Sequence, residues 1–182
     1  VTPPALEPVT LNQVKTQLKI DLDDDAFDEQ IEPLIAAARE WCEGYQNRAY
    51  ITQTLELALN DWPSCRNVRL PRPPLQSITS VSYTDAEEIA ETWDAANYRM
   101  DDYSEPGRLI ALSGAVWPSG GLSSTNPIRI RYVGGYGDNP EDVPAKIKQA
   151  VLLLVCYWFE NGYCDPPQAV KSLLSLDRVV PI

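Results

Sequence analysis

The chain has 182 residues, 44% of them hydrophobic, with 26 acidic against 15 basic side chains and a formal net charge of −11. That length supports one full core or at most two small ones, and that charge argues against gripping nucleic acid by phosphate neutralisation. Histidine is absent, which removes the usual general base, the usual zinc ligand and any Ser-His-Asp triad.

The N-terminal VTPPALEPV has no basic segment ahead of an apolar run, so no secretory signal is expected and cytoplasmic synthesis is the default. Thr10 is placed to cap a short helix whose apolar side is Leu11, Val14 and Leu18. An acidic run from Asp21 to Asp25 then suits the positive start of a second helix. That helix is expected to reach about Tyr45, with Phe27, Ile31, Leu34, Ile35, Ala38, Trp41, Cys42 and Tyr45 on one face. Pro33 should kink it or reset its start, since proline removes one backbone hydrogen bond.

Across the acidic run, Asp21, Asp23, Asp25, Glu29 and Glu32 match the ligand spacing of a calcium loop. Ala26 stands where that loop's sharp turn needs glycine, however, and Asp28 where such loops carry an apolar residue. The acids are read as a helix start. No metal and no cofactor are expected.

From Ile51 to Val133 the period changes from helical to two. Leu55, Leu57 and Leu59 alternate with Glu56, Ala58 and Asn60 as a half-buried strand that Trp62-Pro63 ends. A short strand follows near Val68 to Leu70, and the PRPP run blocks a central strand there. Thr79, Val81 and Tyr83 are expected to share one face of the next strand. Tyr98 to Asp101 and Leu109 to Leu112 read as two more, joined through Pro106-Gly107. Ile128, Ile130 and Tyr132, alternating with Arg129 and Arg131, complete the set.

The stretch VPAKIKQAVLLLVCYWFENG, from Val143 to Gly162, returns to helical spacing. Pro144 suits a first helical position and Gly162 the residue just past the end. Ile147, Ala150, Val151, Leu154, Val155 and Trp158 form one apolar stripe, but every residue from Ala150 to Phe159 is apolar. A helix apolar all round is buried, in its own domain or by a second chain. Ten apolar residues fall short of the ~20 a membrane span needs, so no membrane association is expected. Asp165-Pro166-Pro167 then breaks the helix, and Val170, Leu173 and Leu174 form one short apolar face before Val179, Val180 and Ile182. Cys42, Cys65, Cys156 and Cys164 contain no CxxC pair and read as buried thiols, with a Cys42–Cys156 disulfide as the alternative.

Helices at both ends with strands between them indicate an α+β fold: terminal helices packed together, and a small, mainly antiparallel sheet inserted between them. Residues 1–162 are read as a single domain and 163–182 as a C-terminal tail. Gly134-Gly135-Tyr136-Gly137 lies between strand and helix as a phosphate loop would, but Asp138, Glu141 and Asp142 would repel a phosphate. A turn needing positive φ explains those glycines better. Arg129 and Arg131 fit a solvated face or an intersubunit ion pair better than a DNA contact. The five tryptophans and nine tyrosines fall mostly at positions that core packing explains.

Four segments together carry a resemblance: LKIDLDDDAFDEQIEPLIAAAREWCEGYQNRAY; LPRPPLQSITSVSY; YRMDDYSEPGRL with Trp117-Pro118; and IRIRYVGGYGDNPEDVPAKIKQAVLLLVCYWFENG. In order and spacing, over roughly residues 9 to 162, they resemble the head–tail connector (gp6-like adaptor) family of tailed phages, prophages and gene transfer agents. The most specific pieces are the proline-rich turn from Leu70 to Tyr83 and the Gly-Tyr-Gly turn into the Pro144 helix. The chain departs from the family pattern at Pro33 and at Gly162-Tyr163.

The resemblance implies a structural, non-enzymatic role. It implies a self-assembled ring, usually twelvefold, docked under the portal protein of a filled head, with a tail-side neck or terminator protein below. DNA would pass through the lumen without sequence-specific binding. The place of action would be the virion's head–tail interface, after assembly in the bacterial host cytoplasm. It also implies that the tail, through Val170, Leu173, Leu174, Val179, Val180 and Ile182, docks on a neighbouring subunit or the portal. A tail folded back on its own domain is the alternative. The second functional class is a non-catalytic ligand- or carbohydrate-binding β-rich module, which would need exposed aromatics clustered on one sheet face.

Overall fold

In the computed structural model, which describes residues 2–118 and 120–180, the chain opens with the short helix α1, Leu11–Leu18. Thr10 caps it reciprocally: Gln13 N–H donates to the threonine hydroxyl and the Gln13 side chain accepts from Thr10 N–H. Helix α2, Asp28–Gln46, starts with Asp28 and Glu29 in its first turn and ends on Asn47 in the left-handed region. Pro33 lies inside α2, and the helix is not reset there. The carbonyl that loses its partner belongs to Glu29, an exposed residue, where the missing bond is open to solvent.

Helix α3, Ala145–Asn161, begins one residue later than the sequence indicates, because Pro144 is its N-cap and accepts from Ile147 and Lys148 N–H. Helix α4, Gln168–Ser175, follows the Asp165-Pro166-Pro167 break. These four helices, with residues 4–51 and 136–182, form one compact unit. Its core joins Ile31, Ile35, Ala38 and Cys42 of α2 to Ile147, Val151, Leu154 and Trp158 of α3. The other side of α3 is half-buried rather than bare: Leu152, Leu153, Cys156, Tyr157 and Phe159 pack on the same core. Phe159 meets Phe27 edge-on at 5.6 Å. The over-apolar helix is the core helix of its own unit.

Residues 1–3 and 52–135 form the second unit. Strands β1 (Gln53–Leu59), β3 (Leu75–Thr84), β4 (Ala90–Thr92) and β7 (Ile128–Gly134) make a four-stranded antiparallel sheet in the order β1-β7-β3-β4. Strands β2 (Asn67–Arg69), β5 (Tyr98–Asp101) and β6 (Arg108–Ala111) make a three-stranded antiparallel sheet in the order β2-β6-β5. The sequence indicated one sheet; there are two. Pro71, Pro73 and Pro74 offer no N–H donors, so the ladder begun by β2 cannot run on into β3. Helices at the two ends with antiparallel strands between them make this an α+β fold.

The face of β3 also differs from simple alternation. Register shifts lie between Leu75 and Ser77 and between Ile78 and Ser80, so Ile78 packs on the core while Thr79 is exposed. An inserted residue on one strand reverses which side chains point inward. Val81 and Tyr83 keep their inward side, joining Leu109, Ile128, Ile130 and Tyr132.

Leu154 is fully buried between α3 and its neighbours. Leu154→Ala should destabilise the helical unit by about 2–5 kcal/mol, read as a lowered melting temperature by circular dichroism. An unchanged melting curve would contradict the burial.

Candidate assembly surface

The tail residues divide. Val170 and Leu174 are fully buried in the helical core, Leu173 and Val179 are half-buried, and Val180 is exposed. Ile182 lies outside the described residues. For Val170 and Leu174 this corrects the docking expectation: α4 places them one turn apart against α2 and α3, and that face is already filled.

Polar groups at the end of α2 hold the tail down. Gln46 Nε2 donates to Leu174 O at 2.8 Å, Asn47 Nδ2 to Val179 O at 2.8 Å, and Arg48 Nε to Asp177 O at 2.7 Å. Val179 N–H returns a bond to Gln46 O at 2.9 Å, Lys146 pairs with Asp177, and the Arg178 guanidinium lies 4.9 Å over the Tyr45 ring. Gln46 is itself buried and accepts from the Tyr50 hydroxyl at 2.8 Å. Sequence reasoning missed Gln46, Asn47 and Arg48 as anchors. Their only local signal was a polar cluster at a helix end.

The features that imitate chemistry are satisfied from within. Lys15 is buried, with its ammonium 2.6 Å from Asp28 and 3.3 Å from Leu22 O, so a cation of the chain's own sits beside the acidic run. At the glycine turn, Gly135 N–H donates to Pro74 O and Tyr136 N–H to Tyr50 O, both at 2.9 Å. A Cβ on Gly137 would lie 2.2 Å from Asp142 Oδ2, and that carboxylate accepts from Asn139 N–H. The anion at this turn is Asp142. Gly135, at φ 135°, takes the conformation that favours glycine. Arg131 and Arg129 pair with Glu56 on the adjacent strand at 3.0 and 3.6 Å, an ion pair within the chain.

Burial suppresses two of the four thiols. All four cysteines are free, Cys42 and Cys156 included, and Cys65 and Cys164 are exposed rather than buried. Burial pushes the Cys42 thiol up to about 12 and the Cys156 thiol up to about 11, leaving both protonated at neutral pH. Arg39, buried, holds Glu7 at 2.8 Å and Glu43 at 3.0 Å. Burial alone would lower its pKa, but the hydrogen bonds and charges of those carboxylates outweigh it and raise it. In the β unit Trp62 stacks on Trp117 at 4.7 Å and packs against Trp93 at 5.9 Å, so the indole faces are largely turned on one another. Large apolar side chains left in water include Leu176 and Val180 in the helical unit, and Ile89, Tyr103 and Val116 in the β unit.

Likeness to known proteins decides the class. The model of the head completion protein family matches residues 7–170. The chain belongs to that family. It is therefore a head–tail structural protein. Among solved structures, this head completion protein is similar to a chain in the neck of an empty gene transfer agent particle computed with C6 symmetry. The TM-score is 0.83 at 23% identity, over 100% of this chain and 96% of that one. It is similar to a chain of the virion of a native gene transfer agent particle, with TM-score 0.79 and 22% identity over 100% and 96%. A third likeness is to the neck of a native gene transfer agent particle computed with C12 symmetry, with TM-score 0.68 and 24% identity over 97% and 96%. At these identities the likeness establishes a common fold. No curated protein matches the chain.

Two outcomes follow. Deleting residues 168–182 should lower the melting temperature, since Val170 and Leu174 each contribute about 1.5–3 kcal/mol by burial; a truncated protein that melts like the full chain would refute the seating of α4. Calcium titration by calorimetry should give no heat from the acidic run. A micromolar affinity lost in Asp21→Ala would overturn the helix-start reading.

Proposed function

We propose that this head completion protein is a head–tail connector: a ring, twelvefold when seated on the portal protein, that joins head to tail around the DNA channel. The observation that carries the reading is the family match over residues 7–170, together with a fold shared along the whole chain with neck components. Those neck structures were computed with sixfold and twelvefold symmetry, which supports a closed ring built from one repeated, head-to-tail contact.

The net charge of −11 fits the channel. A surface rich in carboxylates repels phosphate, so DNA would pass without adhering and without sequence being read. The portal would be the head-side partner and a neck or terminator protein the tail-side one. Assembly would take place in the bacterial host cytoplasm, with the finished ring at the head–tail interface of the virion. Residues 1–162 would act as one connector domain. The tail would dock on a neighbour or the portal through Leu173, Val179 and Val180, which α4 leaves partly or fully accessible, together with Ile182.

The test is electron microscopy of the purified full chain, concentrated alone and mixed with its portal. A ring of defined symmetry is expected in at least one condition. A folded protein that stays monomeric in both would defeat the connector reading. Val180→Asp should leave the melting temperature unchanged while weakening portal attachment; attachment at full strength would remove the tail from the contact.

A further inference from the structure

The four-stranded sheet has two edges, and both are open. On β1, Thr2 pairs with Thr54, each N–H donating to the other's carbonyl at 3.1 Å, so the backbone groups of Thr54 point outward from the sheet. Backbone direction alternates along a strand, so the N–H and C=O of Glu56 and Ala58 point outward as well. Among the described residues those groups meet no backbone partner. Leu55, Leu57 and Leu59 turn toward the core yet are only half-buried, and among the described residues no strand flanks β1 beyond Thr2.

The opposite edge is β4. Trp93 N–H donates to Val81 O and Asp85 N–H to Ile89 O, so Ile89, Glu91 and Trp93 point inward to β3. Ala90 and Thr92 therefore point outward, and all three residues of β4 are exposed. Ile89 beside them is 58% exposed.

The two edges are complementary in three respects. The sheet is antiparallel throughout with an even number of strands, so β1 and β4 run in opposite directions. A copy placed head to tail then sets β4 antiparallel to β1, continuing the alternation. The outward groups match in spacing, two residues apart on each strand, which pairs Glu56 with Thr92 and Ala58 with Ala90. The faces match as well: Ala58, Arg129, Ser82 and Thr92 lie in line across the sheet on one side, so the pairing brings Ile89 over half-buried Leu59 on the other. The open length fits too, since Thr2 already occupies the first rung of β1 and β4 is three residues long.

We propose that β1 of one subunit pairs with β4 of the next, so that the four-stranded sheet runs on from copy to copy. This names the repeated contact of the ring and rests on the connector reading. Strand addition at an unpaired edge gives affinity through backbone hydrogen bonds and specificity through register. A β1-to-β4 contact joins two different surfaces, as a closed ring requires, whereas β1 against β1 would stop at a dimer.

The test uses the full chain in a Cys65→Ser, Cys164→Ser background, carrying A58C with A90C and assembled under ring-forming conditions. Within one chain the two positions lie on opposite edges, three strand spacings across and so more than about 14 Å apart, and an internal disulfide cannot form. Mild oxidation should give a ladder of covalent oligomers on a non-reducing gel, with at least tenfold less product from A58C paired with E91C, whose side chains lie on opposite faces. Ala58→Pro removes an outward N–H without touching the β1–β7 ladder, and should abolish rings while the protein stays folded. Rings visible by electron microscopy without a ladder, or rings persisting in folded Ala58→Pro, overturn the edge contact and leave the connector reading standing. Absence of rings from the unmodified chain overturns both.

Discussion

Everything in the helical unit follows from one constraint: α3 is apolar on every side over its second half. From Ala150 to Phe159 it has no polar residue, so other elements must close around it. Helix α2 takes the main stripe through Ile35, Ala38 and Cys42, and residues from α1 and α4 join the same core through Val14, Val170 and Leu174. The four helices are held less by their own propensities than by the shared need to cover this surface. Helices α1 and α4, at eight residues each, are too short to persist alone.

Burial of apolar surface fixes that the tail returns, and hydrogen bonds fix where. Gln46, Asn47 and Arg48 present three side-chain donors at the end of α2, and the carbonyls of Leu174, Asp177 and Val179 meet them. Each such bond is worth only about 0.5–1.5 kcal/mol net, but leaving the buried Gln46 amide without a partner would cost more than the bond contributes. The backbone of the tail is thereby tied down as far as Val179.

The same internal satisfaction accounts for the acidic run, the glycine turn and the arginine pair. Lys15 answers Asp28, Asp142 fills the space beside Gly137, and Glu56 meets both Arg129 and Arg131. Among the described residues, the outward backbone groups of β1 and β4 and several exposed apolar side chains remain without partners.

The sequence by itself determined most element types, though not the short strand β4, because periodicity reports burial locally. Thr10 as a cap, the stripes of α2 and α3, the alternation in β1 and β7 and the break at Pro166-Pro167 were all legible from spacing, and so was the α+β class. The resemblance in order and spacing pointed to the connector group, and the head completion family match stands beside it. Only the tertiary structure decided what depends on residues far apart in the chain. The division of strands into two sheets, the bulges that put Ile78 rather than Thr79 inward, and the seating of Val170 and Leu174 under α2 each require knowing the partner element. The same holds for the intrachain pairing of Glu56 with two arginines that spacing had left to solvent or a neighbouring subunit. Period describes which side of an element is apolar. It does not say which surface will meet that side, since that is settled by competition among distant surfaces for the same buried space.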